Sequence, residues 1–426
     1  MANMGIFEEL TARGLVEAVS DAKLGELLNT ERVTFYTGYD PTAPSLQIGN
    51  LCAIVTQRRL QTAGHRPIVI MGGATGMIGD PSGKSEERNL LTEDTIAKNL
   101  AAQRRQFERL IDFSGGDSGA LLLNNHDWIG QFSFIGFLRD VGKRFRMGEM
   151  LSKESVKRRL ESEAGLSFTE FCYQMLQAYD FMHLHKAHGV RLQVGGADQW
   201  GNITAGIDLT RKVEGAAVYG MVFPLLTDPQ GRKFGKSEGN AIYLDAGMTS
   251  PYQMYQYLLN AEDSHVIKYL KVLTFFTLDE IAQLERELQT TPDARTAQKA
   301  LAAHVTEMVH GKEGLAAAEA ASSALFGGSL DNLSAADLAS IFKDVPSVTV
   351  ARATFEAGLG VVDLFALTPL CPSKSEARRA VQQGGAYVNN RAVTALDATL
   401  SLADCIGGTT LVLRKGKKNY CLVQVG

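Results

Sequence analysis

Long apolar runs are missing from this chain of 426 residues. No stretch approaches the roughly 20 uninterrupted apolar residues that carry a helix across a bilayer, so a helical membrane protein is not expected. Cysteine is scarce, with five residues (Cys52, Cys172, Cys371, Cys405 and Cys421), odd in number and never spaced Cys-x-x-Cys. A disulfide framework and a structural zinc are both disfavoured, and a reducing compartment is expected. Met1 to Leu10 carries Glu8 and Glu9 and lacks a basic-then-apolar leader, so a non-secreted, cytoplasmic protein is expected. A strong net charge is also lacking: 43 Lys and Arg against 47 Asp and Glu leave −4, which excludes a chain that is basic throughout. There is no internal repeat and no low-complexity tract.

What remains is an ordinary globular composition, 45% apolar and 21% charged. At about 150 residues per domain the length predicts two or three domains. The charge is uneven. From Ala351 onward nine Lys and Arg face five acids, giving +4 there and −8 for the rest. A basic end on an acidic body suggests one part that meets a polyanion and another with a different task.

The first half alternates strand-like and helix-like text. Val33 to Tyr39 is β-branched and aromatic, a turn-rich Asp40 to Ser45 follows, and Ile48 to Ala63 is helical in pattern. Strand signals recur at Pro67–Met71, Leu121–Leu123, Arg191–Val194 and Ala217–Phe223, with helical segments at Phe168–Ala187 and Gln199–Lys212 between them. Strands separated by helical crossovers predict a parallel, doubly wound sheet. From Ser250 to Phe326 the text is almost wholly helical. The last unit holds a helix over Ser375–Gln383 and short strands at Ala386–Val388 and Thr410–Leu413.

Four loops could cradle phosphate. Gly79–Ser85 and Gly231–Ser237 both end in Gly-Lys-Ser, but each has three residues between its glycines where the P-loop needs four. That spacing sets how backbone N–H groups converge on an anion, so both are disqualified as P-loops. Gly72 to Gly79 does not follow the dinucleotide fingerprint either. The loop after the first strand is better placed: Pro41 stiffens it, Thr42 and Ser45 offer hydroxyls, and Gly49 lies near a helix start. In Lys233-Phe234-Gly235-Lys236-Ser237, two lysines flank a glycine in a doubly charged clamp suited to a leaving pyrophosphate.

These segments, in this order, resemble a class I aminoacyl-tRNA synthetase. Gln47-Ile48-Gly49-Asn50 aligns with the first class signature, His-Ile-Gly-His, and Lys233 to Ser237 with the second, Lys-Met-Ser-Lys-Ser. Tyr36 to Ala43, Gly72 to Pro81, Tyr173 to Asp180 and Gln193 to Asn202 all resemble bacterial tyrosyl-tRNA synthetase, as does the tail, Ser375 to Asn389 with Arg414 to Tyr420. The resemblance implies an α/β, doubly wound parallel-sheet (Rossmann-like) catalytic domain over 1–248, with a dimerisation region inserted at about 114–187. It further implies a helical anticodon-side domain over 249–326, a linker over 327–354 and a small α+β, S4-like RNA-binding domain over 355–426. The implied reaction activates tyrosine with ATP, as substrate, to tyrosyl-adenylate and pyrophosphate, with Mg²⁺ held through the phosphates and no organic cofactor. Transfer to tRNA(Tyr) follows. A homodimer without membrane attachment is implied.

By the same resemblance Tyr36 and Asp180 face the substrate's phenolic hydroxyl, while Asp80, Asn125, Tyr173, Gln177 and Gln193 hold its ammonium end and shape the pocket. Tyr173, Gln177 and Asp180 are spaced to share one helical face. Gly38, Asp40, Gly49, Gly196, Asp198, Gln199, Leu225 and Leu226 are the nucleotide side. Thr42 joins them in the first loop, and Lys84, Arg88, Lys233 and Lys236 engage the β- and γ-phosphates. Lys153, Arg211 and Lys212 are candidates for the acceptor stem, and Arg378, Arg379, Arg414, Lys415, Lys417 and Lys418 for RNA phosphates.

Both signature histidines are replaced, by Gln47 and Asn50. A glutamine amide nitrogen lies as many bonds from the backbone as a histidine Nε2, and an asparagine nitrogen matches Nδ1; both donate without titrating. An active enzyme is therefore expected. The alternatives are a catalytically impaired, RNA-binding paralogue, a tryptophan enzyme, and a tyrosine activator that uses no tRNA. His183, His185 and His188 cannot all face one helical side, so no metal site is expected there. Trp128 and Trp200 are expected in the core, with Cys52 and Cys172 packing as small hydrophobes.

Overall fold

The computed structural model describes residues 4–82, 90–162, 165–237, 240–325, 328, 330, 335–342, 345–416 and 419–426. Six strands form the main sheet: β1 (Ala18–Val19), β2 (Thr34–Tyr39), β3 (Arg66–Met71), β4 (Leu121–Asn124), β5 (Leu192–Gly196) and β6 (Tyr219–Phe223). Their order is β1-β6-β5-β2-β3-β4. β6 to β4 run parallel, and the short β1 adds an antiparallel edge. The chain winds from β2 outward through β3 to β4, then returns to the other side of β2 for β5 and β6. The switch point lies between β2 and β5, and in such sheets ligands bind beyond the strands' carboxyl ends at that place.

Local signals explain the elements. β3 is buried beyond its first residue, which suits its continuous apolar text, and β2 and β5 are mostly buried as well, with Gly38 exposed. The helix Phe168–His188 starts at Ser167, whose hydroxyl accepts from the Glu170 N–H, and stops at Gly189, which takes the left-handed conformation at φ 64°. The helix Glu93–Leu110 is capped by Thr92 in the same way. β7 (Lys236–Ser237), the end of the second signature, pairs antiparallel with β8 (Asn240–Ala241) just beyond it.

The chain divides into two compact units, Met1–Thr249 with Ala261–Leu301, and Ser250–Asn260 with Ala302–Gly426. This differs from the expected separate helical domain over 249–326. The helices Asp263–Leu273 and Leu278–Thr290 belong with the first unit, and Pro251–Leu259 with the second.

The second unit carries a five-stranded sheet built from β9 (Ser347–Val350), β11 (Ala386–Val388), β12 (Arg391–Ala392), β14 (Thr410–Lys415) and β15 (Asn419–Val425), in the order β12-β11-β14-β15-β9. β10 (Leu359–Gly360) pairs separately with β13 (Thr399–Leu400). β9 falls inside the expected linker 327–354. Its Ser-Val-Thr-Val text is β-branched, and it pairs parallel to β15. Leu338 and Phe342, also from that stretch, are buried against Val412, Tyr420 and Leu422. A segment that buries such side chains is part of the fold rather than a tether.

Candidate functional site

A cavity of about 410 Å³ opens at the carboxyl ends of β2 and β5. All seven residues expected around the amino acid line it: Tyr36, Asp80, Asn125, Tyr173, Gln177, Asp180 and Gln193. Tyr36 and Gln193 are register partners on β2 and β5, so their side chains stand together. Asp180 comes from the helix Phe168–His188. Its carboxylate accepts from Asn125 Nδ2 at 3.0 Å and from Trp128 Nε1 at 2.7 Å. Burial pushes its pKa up to about 7, against the pull of those two donors. Burial, and then the Asp180 charge, drives the Tyr36 phenol far above its ordinary range. The Tyr36 hydroxyl is buried with no partner among the described residues, as are Thr37 Oγ1, Gln103 Oε1 and Gln193 Oε1, and all four residues line the cavity. Buried polar atoms are costly to leave unpaired, so their clustering marks where a polar ligand belongs.

The remaining pocket groups are wired to one another. Tyr173 donates its hydroxyl to Asp40 Oδ2 at 2.8 Å, and Thr75 donates to Asp40 Oδ1 at 2.8 Å. Asp80 accepts from Gln199 Nε2 at 2.7 Å; Gln199 Oε1 accepts from Gln177 Nε2, and Gln177 Oε1 from Asn202 Nδ2. A side chain at Gly72 would strike the Asp40 carboxylate, so only glycine lets that network close.

The side expected to take the nucleotide is built from strand ends, short helical turns and loops. Gly38, Asp40, Thr42, Gln47, Gly49, Asn50, Gly196, Asp198, Gln199, Leu225 and Lys233 line the same cavity. Burial and then the neighbouring Asp80 raise the Asp198 pKa. Asn50 Oδ1 accepts the Gln47 backbone N–H at 2.9 Å, which commits the oxygen end and turns the amide nitrogen the other way. The two signatures are stitched by backbone. Ile48 N–H donates to Ile242 C=O and Ile242 N–H to Gly235 C=O, each at 2.8 Å, and Leu244 N–H donates to Leu46 C=O. Gly235 sits at φ +86° with its α-carbon against Ile48, a place where any Cβ would clash. Leu226 departs from expectation: it lies off the cavity wall, and its carbonyl accepts from Phe234 N–H at 2.9 Å, fastening the second signature. Lys84 and Arg88 fall outside the described residues, as does the Lys236 side chain.

The family tRNA synthetases class I (W and Y) matches residues 28–327, and the tyrosine–tRNA ligase SYY-like C-terminal domain matches residues 337–423. A tyrosine–tRNA ligase of Roseiflexus castenholzii is 49% identical over 421 residues, covering 99% of both chains. One from Rhodopirellula baltica is 48% identical over 426 residues, covering all of this chain and 97% of the relative. The chain belongs to the tyrosine–tRNA ligase family. Among solved structures, a C-terminally truncated mitochondrial tyrosyl-tRNA synthetase of Coccidioides posadasii matches with TM-score 0.65 and 33% identity, over 74% of this chain and 91% of that one. A tryptophanyl-tRNA synthetase of Encephalitozoon cuniculi shares the fold alone, with TM-score 0.53 at 14% identity over 72% of this chain and 87% of that one.

Against that tyrosine–tRNA ligase background, the sites expected to meet tRNA fall into two groups. Arg378 and Arg379 are exposed on the helix Lys374–Gln382. The other described positions are engaged. Lys153 is half-buried and donates to Thr204, Arg211 pairs with Asp208 at 2.6 Å, and Lys212 pairs with Asp208 at 2.5 Å. Lys415 is tied to Glu376 and to the Leu370 carbonyl. Arg414 is the clear correction. It is buried between its cross-strand partners Tyr387 and Tyr420, its guanidinium 3.7 Å from the Tyr387 ring centre, and it donates to Asn390 Oδ1 and the Gly416 carbonyl. Its register on a central strand makes it cement for the sheet rather than a hand for phosphate. Lys417 and Lys418 lie outside the described residues.

Trp128, Thr75 and Asn202 were missed from sequence. Trp128 stacks on His183, with centroids 4.5 Å apart, while its ring N–H holds Asp180. A clue was available: Trp128 lies four residues past the end of β4, on the ligand-binding edge of a parallel sheet.

Proposed function

We propose that the cavity holds tyrosine and ATP end to end, with Tyr36 and Asp180 recognising the phenolic hydroxyl. The chain is an enzyme of tyrosine–tRNA ligation. The tyrosine carboxylate attacks the α-phosphate of ATP, pyrophosphate leaves, and a ribose hydroxyl at the 3′ end of tRNA then takes the tyrosyl group. No protein nucleophile is needed; positioning and charge stabilisation carry the chemistry.

The observation that carries this reading is the unpaired Tyr36 hydroxyl beside a desolvated Asp180 carboxylate in one cavity. A substrate phenol satisfies both, donating its proton to Asp180 and accepting from Tyr36. Phenylalanine leaves the Tyr36 hydroxyl unpaired and gives the desolvated Asp180 carboxylate no further donor beyond Asn125 and Trp128. Asp80 takes the ammonium group, with Gln177 and the Tyr173 oxygen as further acceptors, while Asn125 acts on Asp180 rather than on the substrate. Asp198 accepts from the ribose diol, Leu225 packs beside adenine, and the glycines at 38, 49 and 196 leave room for the nucleotide. Thr42, Gln47 and Asn50 donate to the phosphates, joined by Lys84, Arg88, Lys233 and Lys236. Mg²⁺ enters as part of the nucleotide substrate, held through its phosphates.

Two partners complete the proposal. Phe134, Ile135, Met147, Leu160 and Phe168 are all at least half exposed in the segment 134–168, an apolar surface fitted to a second copy of the chain. Arg378 and Arg379 in the second unit meet tRNA phosphates. Among the described residues no helix is long and apolar enough to cross a membrane, and we place the enzyme in the cytoplasm. Pyrophosphate exchange with each of the twenty amino acids is the test. Exchange with tyrosine alone supports the reading, and equal exchange with phenylalanine or tryptophan overturns it.

A further inference from the structure

The helix Glu93–Leu110 buries polar side chains on the face it turns toward the first signature. Asn99, Gln103 and Gln106 follow one another at offsets of four and three, so they form one stripe. Each is bonded to the loop between β2 and the signature. Asn99 Nδ2 donates to the Pro41 carbonyl at 2.9 Å, and Gln103 Nε2 donates to the Ala43 carbonyl at 2.8 Å. Gln106 Oε1 accepts the Leu46 N–H at 3.0 Å, and its Nε2 donates to Ser45 Oγ at 3.1 Å. Thr42 therefore lies between two pinned carbonyls, and Gln47 directly follows a pinned N–H. The grip extends to the second signature, because Ser45 Oγ also accepts from the Asp245 N–H and Leu46 C=O from the Leu244 N–H.

A loop of this kind, bearing Pro41 and a tight turn in which Thr42 N–H bonds Asp40 C=O, cannot satisfy its own outward carbonyls. Asn99 and Gln103 are almost fully buried, at 5% and 2% exposure, so water is a poor substitute. Apolar side chains would have supported the loop by packing alone; amides fix it at named atoms.

We infer that Asn99, Gln103 and Gln106 are positioning residues for the ATP half of the reaction, holding Thr42 and Gln47 at the distance the triphosphate requires. The inference rests on the reading that Thr42 and Gln47 face ATP. It assigns opposite requirements to neighbouring amides: position 103 must donate to a backbone carbonyl, whereas position 106 must accept from a backbone N–H, its other bond going to a Ser45 hydroxyl that can turn and donate to a second oxygen instead. Small misplacements of a reacting group are expensive, up to about a hundredfold for about 1 Å.

The test is pyrophosphate exchange on the full chain, with tyrosine and ATP varied separately. Gln103→Met and Gln103→Glu both remove the donor, and each should lower kcat/KM for ATP by about tenfold or more while KM for tyrosine stays within about twofold. Gln106→Met should do the same, but Gln106→Glu keeps the acceptor and should restore activity to within about threefold of the parent. Melting temperatures measured alongside identify any variant that has simply lost its fold, and the rescue by Gln106→Glu remains readable in that case. Equal losses with Gln106→Glu and Gln106→Met would overturn the inference, as would parallel rises in KM for tyrosine and ATP. Thr42→Ala and Gln47→Ala separate the two levels. If these leave ATP kinetics unchanged, the site reading falls; if they impair them while the helix variants do not, only the positioning role falls.

Discussion

The two ends of the cavity solve different problems with different groups. The proposed amino-acid end is a side-chain pocket: a carboxylate buried at about pKa 7 and braced by Asn125 and Trp128, near the Tyr36 phenol, which has no partner among the described residues. The proposed nucleotide end is made of strand ends, short turns and loops, with amides where the signature's histidines would stand and glycines along its wall. Recognition by a desolvated charge is selective but sensitive to pH and to the loss of any brace. Recognition by positioned amides is insensitive to pH but depends on the loops being held in place. Substitutions at the two ends should therefore fail in different ways.

The largest effect is expected at Asp180. Asp180→Asn removes the acceptor for the phenol and sets an amide against the Asn125 and Trp128 donors, so tyrosine-dependent exchange should fall by about a hundredfold or more. Loss confined to KM for ATP would break the comparison. Next is Trp128→Phe, which removes one of the two donors to the carboxylate. KM for tyrosine should rise by about tenfold, and the midpoint of its pH dependence should move upward.

The pH profile itself sharpens the contrast. The Asp180 pKa stands at about 7 in the folded chain against an ordinary 3.8, so the carboxylate form that accepts a phenol is lost below neutrality. In exchange assays from about pH 5.5 to about pH 8.5, kcat/KM for tyrosine should climb through about pH 7 and then level off. Gln47 and Asn50 contribute no titration, and substitution of either should leave the midpoint where it is. The same shift makes the folded chain hold a proton that the unfolded chain has lost between pH 3.8 and about 7, so this group's contribution to stability declines across that window.

The smallest effects belong to the second unit, where the exposed and buried cations should separate. Arg378→Ala and Arg379→Ala should each weaken tRNA binding several-fold and flatten its salt dependence by about one unit of slope. Arg414→Met should instead lower the melting temperature of that unit, since it removes the cation between Tyr387 and Tyr420. A pure salt-slope change for Arg414→Met, with no loss of stability, would contradict its placement.

Much of this was legible in advance. The parallel strands announced themselves through β-branched and aromatic runs, and the spacing of Tyr173, Gln177 and Asp180 placed them on one helical face from the text alone. Other features were hidden for physical reasons. β9 is only four residues, and its pairing with β15 is a long-range event that local text does not encode. The loop-holding face of Glu93–Leu110 buries amides, so a search for apolar periodicity passes over it. Trp128 reads as core because burial and hydrogen bonding are compatible in one indole; only the position of Asp180 shows that its N–H is in use. Arg414 reads as a surface charge until strand register sets it between two tyrosines.

The most direct measurement is equilibrium binding of tyrosine and phenylalanine to the parent chain and to Asp180→Asn at about pH 8, above the carboxylate's midpoint. A strong preference for tyrosine in the parent that collapses in Asp180→Asn is the result this account predicts. A preference that survives the substitution undiminished would show that the phenol is recognised elsewhere.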